Sequence, residues 1–192
     1  MKEYDQLAKS GWYAANRDPN IGIADISLLV KELPRNSRVL DLGCGNGFPI
    51  TQFLFDAGLN VFGIDSSSPM IAQLANRNPK IRVQCDDLFN SDFFNLNFDA
   101  IIAYGLIFHF PREQQIKLIQ KAAGHLKPNG KFLFNSGIKI GRAVSTMDGI
   151  NIPQWSLSAD LYATALEDNG LKLIANYPDK QSGTYIYISK KI

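Results

Sequence analysis

The sequence predicts an α/β fold on a mixed seven-stranded sheet, with five parallel strands and a C-terminal antiparallel hairpin. Three observations predict it. Helical and strand patterns alternate along the chain, which calls for a largely parallel sheet with crossover helices. The stretch VLDLGCGNGFPITQFL (39–54) reads as a buried strand that enters a helix through a loop of alternate glycines. The last two strand-like runs, LKLIANY (171–177) and GTYIYISK (183–190), are separated only by PDKQS. That connection cannot hold a crossover helix, so these two strands pair antiparallel.

Length and composition narrow the class. The 192 residues suffice for one domain with a sizeable core and fall short of two, so a single domain over 1–192 is expected. Hydrophobic residues at 45% and charged residues at 20% fit an ordinary soluble globular protein. The longest nearly uninterrupted apolar stretch, AIIAYGLIF (100–108), is too short for a membrane span of about 20 residues, so no membrane partner is expected. The leading MKEYDQLAKSGW has no apolar segment of the secretory kind. Cys44 and Cys85 are too few for a disulfide framework, and a cytoplasmic setting is the expectation. The net charge of +2, with Lys and Arg scattered among acids, speaks against a nucleic-acid partner. Oligomeric state is not legible.

The elements follow in order. An amphipathic helix is expected near 21–33, with Ile23, Ile26, Val30 and Leu33 on one face, ended by Pro34. After the strand RVLDLG, Pro49 suits the first position of the next helix, where its missing N–H would have no partner. Ile50, Phe53, Leu54 and Ala57 would form that helix's buried face and Gly58 its C-terminal cap. NVFGIDS (60–66) is a second strand, and a serine cap with Pro69 starts a helix over 67–77. KIRVQC (80–85) and FDAIIAYG (98–105) are the third and fourth strands. A helix over about 112–126 carries Ile116, Ile119 and Ala123, and PNG (128–130) turns the chain into the fifth strand, KFLFNS (131–136). Residues 137–157 read as a long loop, a length that inside compact domains usually carries function. A final helix, SADLYATALEDNG, precedes the hairpin.

Gly43, Gly45 and Gly47 allow positive φ and let a ligand approach the backbone. Exposed N–H groups at the start of the next helix would favour an anionic group. The spacing is G-x-G-x-G; a dinucleotide fingerprint places its third glycine one residue later, where this chain has Phe48. Asp41 puts negative charge beside the loop, which suits a ligand with a cationic centre. VLDLGCGNG resembles motif I of the class I S-adenosylmethionine-dependent methyltransferases. VFGIDSSSPMI resembles that family's second strand with its terminal acid, VQCDDL its third-strand acid, FDAIIAYGLIFHF its fourth strand and LKPNGKFLF the turn into its fifth. The resemblance covers nearly the whole chain. It implies a Rossmann-like three-layer sandwich with strand order 3-2-1-4-5-7-6, and S-adenosyl-L-methionine as cofactor with S-adenosyl-L-homocysteine as product.

The resemblance also implies roles. Gly43, Cys44 and Gly45 would pass their backbone beside the cofactor, and Asp65 would accept hydrogen bonds from both ribose hydroxyls. Ser66 and Met70 would border the adenine. Asp86 would accept from the adenine amine, with Asp87 or Leu88 beside the ring; which of the two adjacent acids points inward stays open. Cys44 reads as a small packing residue. Tyr104, at the end of the fourth strand, joins the cofactor-binding candidates.

Methyl transfer from a sulfonium needs donor and acceptor aligned and water excluded, and a base only if the acceptor must lose a proton. Base-modifying amino-methyltransferases carry D/N-P-P-Y after the fourth strand. This chain has Ala103-Tyr104-Gly105-Leu106, which points away from base methylation towards a small-molecule acceptor. His109 is the candidate base or substrate-orienting group, or alternatively a structural bond to a carbonyl; His125 reads as structural. Residues 1–34 are expected to form a lid, with Tyr13 over the sulfonium and Arg17 on the cofactor carboxylate, unless Trp12 and Tyr13 merely pack the first helix. Trp155 is the candidate substrate wall. No metal-ligand cluster is visible. Two other readings stand beside this one: an RNA or protein methyltransferase with an open basic mouth, and a non-catalytic cofactor binder whose acceptor pocket is plugged by aromatic side chains.

Overall fold

Strand β1, Arg38–Leu42, sits at the centre of the sheet because its side chains Val39 to Leu42 are all buried, so both faces must be covered. The computed structural model describes residues 2–192. Around β1 lie β2 (Asn60–Asp65), β3 (Arg82–Cys85), β4 (Phe98–Ala103) and β5 (Leu126–Ser136), all parallel to one another. Two further strands, β6 (Gly141–Met147) and β7 (Ile150–Ser156), form a separate antiparallel sheet. The chain closes with β8 (Leu171–Pro178) and β9 (Tyr185–Lys191), and β9 inserts antiparallel between β5 and β8. The resulting order is β3-β2-β1-β4-β5-β9-β8. With the separate hairpin left out of the numbering, this is the expected 3-2-1-4-5-7-6.

Among the described residues, seven α-helices accompany the strands: α1 (Lys2–Lys9), α2 (Trp12–Asn16), α3 (Ile23–Val30), α4 (Ile50–Asp56), α5 (Ser68–Arg77), α6 (Arg112–Gly124) and α7 (Ala159–Glu167). The period of two in the strands divides the core. Leu40, Leu42, Phe62, Ile64, Ile101 and Phe134 face α6 and α7, whereas Val39, Val61, Ala100, Ile102 and Leu133 face α3, α4 and α5. These are the layers of the sandwich.

Several boundaries differ from the sequence reading. Helix α3 starts only after Gly22, held at φ 74, and buries Ile26 and Leu29; Ile23, Val30 and Leu33 are half-buried. Pro49 is the N-cap of α4, one residue earlier than expected, and Ala57 is its exposed C-cap. Thr51 is buried with Ile50 and Leu54. Residues 128–130, expected as a turn, lie instead within β5, where Asn129 is at φ 64 and the register of β4 on β5 shifts.

The largest correction concerns 137–157, which is a hairpin rather than a loop. Asp148 (φ 50) and Gly149 (φ 72) form its two-residue turn, with Met147 paired to Ile150. Both turn residues have positive φ, as the primed turn that matches strand twist demands, and Asp-Gly is a strong signal for it.

Candidate functional site

Parallel strands leave a crevice at their carboxyl ends where the order reverses, here between β1 and β4. A cavity of about 500 Å³, counting its open mouth, occupies that place. The β1 end contributes Gly43 and Gly45, the β2 end Asp65 and Ser66, and α5 Met70. Past β4 come Tyr104, Gly105, Leu106 and His109. Helices α1 and α2 and the residue after them cover the top with Tyr4, Tyr13 and Arg17.

The glycine loop is held by bonds that the sequence reading did not foresee. Gly43 and Cys44 donate their amides to the Ile64 carbonyl at 2.8 and 3.1 Å, and Gly47 donates to Cys44. The Gly45 amide donates to Asp65 Oδ2 at 2.9 Å, while Ser67 donates to Oδ1 at 2.8 Å. The amides of Gly43, Cys44, Gly45 and Gly47 are thus engaged within the chain rather than free for a ligand. Gly47 (φ 82) must be glycine, because a Cβ there would stand 2.4 Å from Leu74 Cδ1.

Asp65 is the acid best placed to act. Burial raises its carboxyl pKa, and the two backbone donors oppose that shift. Each oxygen accepts one bond from the chain and keeps a further lone pair. Asp41 does not line the cavity. It shares the face of Val39, so its carboxyl turns under α4 and accepts from Thr51 Oγ1 at 2.7 Å. Burial there pushes its pKa up to about 7. The Cys44 side chain presses on the sheet, where a Cβ added at Gly63 would meet its sulfur at 2.8 Å. That is the packing position expected of it.

The two neighbouring acids differ. Asp87 and Leu88 line an adjoining recess with Gly43, Asp65 and Ser66. Asp87 Oδ1 also accepts from the amides of Phe89 (2.9 Å) and Asn90 (3.3 Å), so it caps the following turn. Asp86 lines neither space, and its Oδ1 accepts from the Asp87 amide.

On the opposite wall, His109 is 7% exposed, with Nε2 at 3.0 Å from the Tyr4 hydroxyl and Nδ1 without a hydrogen bond. Burial lowers its pKa to about 4, only partly offset by the nearby Pro153 and Gly105 carbonyls, so the imidazole is neutral at pH 7. Burial raises the Tyr4 pKa, and its phenol keeps its proton. Asn135 Oδ1 accepts from the Gly105 amide at 2.6 Å, and Tyr104 donates to Asp179 Oδ2 at 2.5 Å, which fixes the β4 exit. Arg17 lies over the Tyr13 ring, 5.3 Å from its centroid, with a buried Nε that has no partner. His125 bonds the Leu96 carbonyl through Nδ1 at 3.0 Å, the structural place expected of it.

Trp155 is displaced from the expected wall. The hairpin carries it to a separate groove beside Phe108, with Arg142 stacked on its ring. Tyr4 was missed, although its spacing from the buried Leu7 and Ala8 puts all three on one helix face. Among the described residues no group of three or more His, Cys, Asp or Glu could hold a metal ion, and no helix is long and apolar enough to cross a membrane.

Comparison with known proteins agrees with this geometry. Residues 39–130 match the family model described as a methyltransferase domain. The chain is 35% identical over 105 residues to phosphoethanolamine N-methyltransferase of Plasmodium falciparum, covering 53% of this chain and 40% of that protein. It is also 35% identical over 98 residues to the probable tRNA methyltransferase 9B of Mus musculus, covering 50% of this chain and 21% of that protein. The chain therefore spans less than half the length of either. Among solved structures, the Burkholderia thailandensis 1,6-didemethyltoxoflavin-N1-methyltransferase superposes with a TM-score of 0.76 at 18% identity, covering 99% of this chain and 88% of that one. The matched residues and the sheet order support a class I S-adenosylmethionine-dependent methyltransferase.

Proposed function

We propose that this chain, as one domain over 1–192, transfers a methyl group from S-adenosyl-L-methionine to a small-molecule acceptor. The observation that carries the reading is the closed crevice: a carboxylate with spare lone pairs at the end of β2, under a roof from α1 and α2. The residues fit the cofactor. Asp65 would take the ribose hydroxyls, Ser66, Met70, Asp87 and Leu88 would border the adenine, and the unpartnered Arg17 Nε would meet the carboxylate. When bound, the cofactor supplies an electrophilic methyl on a sulfonium.

The chain's own work is alignment and water exclusion. Tyr13 and Tyr4 cover the cavity, and Tyr104 and Gly105, held by Asp179 and Asn135, fix its far wall. The neutral His109 and the Tyr4 hydroxyl offer the acceptor a polar pair that can orient it and pass a proton outward. An enclosed cavity supports a metabolite over a macromolecule. The second reading, an RNA acceptor, is favoured by the likeness to the probable tRNA methyltransferase. A cytoplasmic setting is part of the proposal, supported by the free thiols of Cys44 and Cys85.

The test is incubation with isotopically labelled S-adenosylmethionine in two arms, a metabolite extract and total tRNA. Label in a small molecule is the expected result. Label in tRNA would establish the second reading, and label in neither arm would leave a cofactor binder.

A further inference from the structure

The outer sides of Tyr4 and Tyr13 line a second chamber, about 580 Å³ with its mouth, between α2 and the hairpin tip. Tyr4, Tyr13 and Arg17 border both this chamber and the cofactor cavity, so only lid side chains separate them. Its remaining walls include the Trp12 indole, the Met147 thioether and the Asp18 carboxylate. Three aromatic residues and one methionine line this space; an aromatic ring attracts a cation over its face, and a thioether adds a soft polarisable contact. The lining also carries one carboxylate, Asp18, and one cation, Arg17. Arg17 is itself stacked on Tyr13 and, by the reading above, would be neutralised by the cofactor carboxylate.

We propose that this chamber is the acceptor subsite and that it takes an aliphatic amine in its cationic form. The inference rests on the methyltransferase reading and names its substrate class. For transfer, the amine sheds its proton through the Tyr4 hydroxyl, which borders both spaces, to His109 and on to water. Its lone pair then forms the nitrogen–carbon bond as the carbon–sulfur bond breaks, with the electron pair left on sulfur as a thioether.

The test uses the full chain carrying Trp155→Phe, so that Trp12 is its one tryptophan, saturated with S-adenosylhomocysteine. Choline is the cationic probe, and 3,3-dimethyl-1-butanol is its uncharged counterpart of the same shape. Choline should shift the Trp12 emission saturably, and the neutral alcohol should bind at least about fivefold more weakly. Asp18→Asn should weaken choline about threefold and leave S-adenosylhomocysteine affinity unchanged. Asparagine keeps the acceptor that Asp18 Oδ1 offers the Asn20 amide, so the turn survives. Equal affinity for alcohol and choline, no saturable shift, or a shift with tRNA alone would each overturn the amine assignment. S-adenosylhomocysteine binding is measured first: its absence overturns the methyltransferase reading itself, while its presence without choline binding overturns only the subsite.

Discussion

The two walls of the cavity are built in different ways. The glycine-loop wall is assembled from neighbours: Gly45, in the loop after β1, and Asp65, at the end of the adjacent parallel β2, are 20 residues apart. The opposite wall depends on distant partners. Tyr4 meets His109 across 105 residues, and Tyr104 meets Asp179 across 75. The first wall belongs to the sheet and should hold its shape whether or not a ligand is present. The second is a roof of two short helices on a rigid body, the kind of element drawn from the low-stability end of a structure. The comparison assigns affinity for the cofactor to the first wall and turnover to the second.

Asp65→Ala should break the first wall alone. Losing two hydrogen bonds to a charged group, at about 1.5–3 kcal/mol each, should weaken S-adenosylhomocysteine by roughly 10²-fold or more while the protein stays folded. Calorimetric titration at wild-type affinity would mean that the carboxylate serves only Gly45 and Ser67.

His109→Ala should do the reverse, cutting turnover by roughly 10²-fold with cofactor affinity nearly intact. The low end of the range for acid–base groups applies, because an imidazole with a pKa of about 4 is a weak base. A variant that loses melting temperature but keeps its activity per folded molecule would make the residue structural.

Cofactor identity comes next. At a hundredfold excess over its dissociation constant, S-adenosylhomocysteine should stabilise the fold by about 2.7 kcal/mol, a rise of roughly 5–10 °C in melting temperature. NADH at equal concentration should give none, and a shift with NADH alone would remove the basis for every role assigned above.

The smallest effect is a pH difference between walls. His109 holds a pKa of about 4 when folded against 6.5 ordinarily, so only the unfolded chain takes up that proton between pH 6.5 and 4. Its contribution to stability therefore falls as pH drops through that window. Asp41, raised from 3.8 to about 7, works oppositely and masks the loss in the wild type. His109→Gln should gain about 2 kcal/mol on the wild type between pH 7 and pH 5 in denaturant titrations. Parallel curves would show that the imidazole is solvated rather than buried.

The sequence by itself determined the alternating elements, the terminal hairpin and the glycine loop, because these depend on local patterns, and its family resemblance implied the sheet order and the first wall. Alternating elements, glycine spacing and the short 178–182 connection each act within a few residues. Asp148-Gly149 was equally legible as a hairpin turn, yet the irregular burial of its strands disguised them as loop. Only the tertiary structure decided that Asp41 turns to Thr51, that Trp155 leaves the cavity, and that Tyr4 and Met147 border its roof and outer chamber. Those outcomes depend on which face of one element packs against another distant in sequence. Helix packing and strand register set that face, and no short run of residues encodes it.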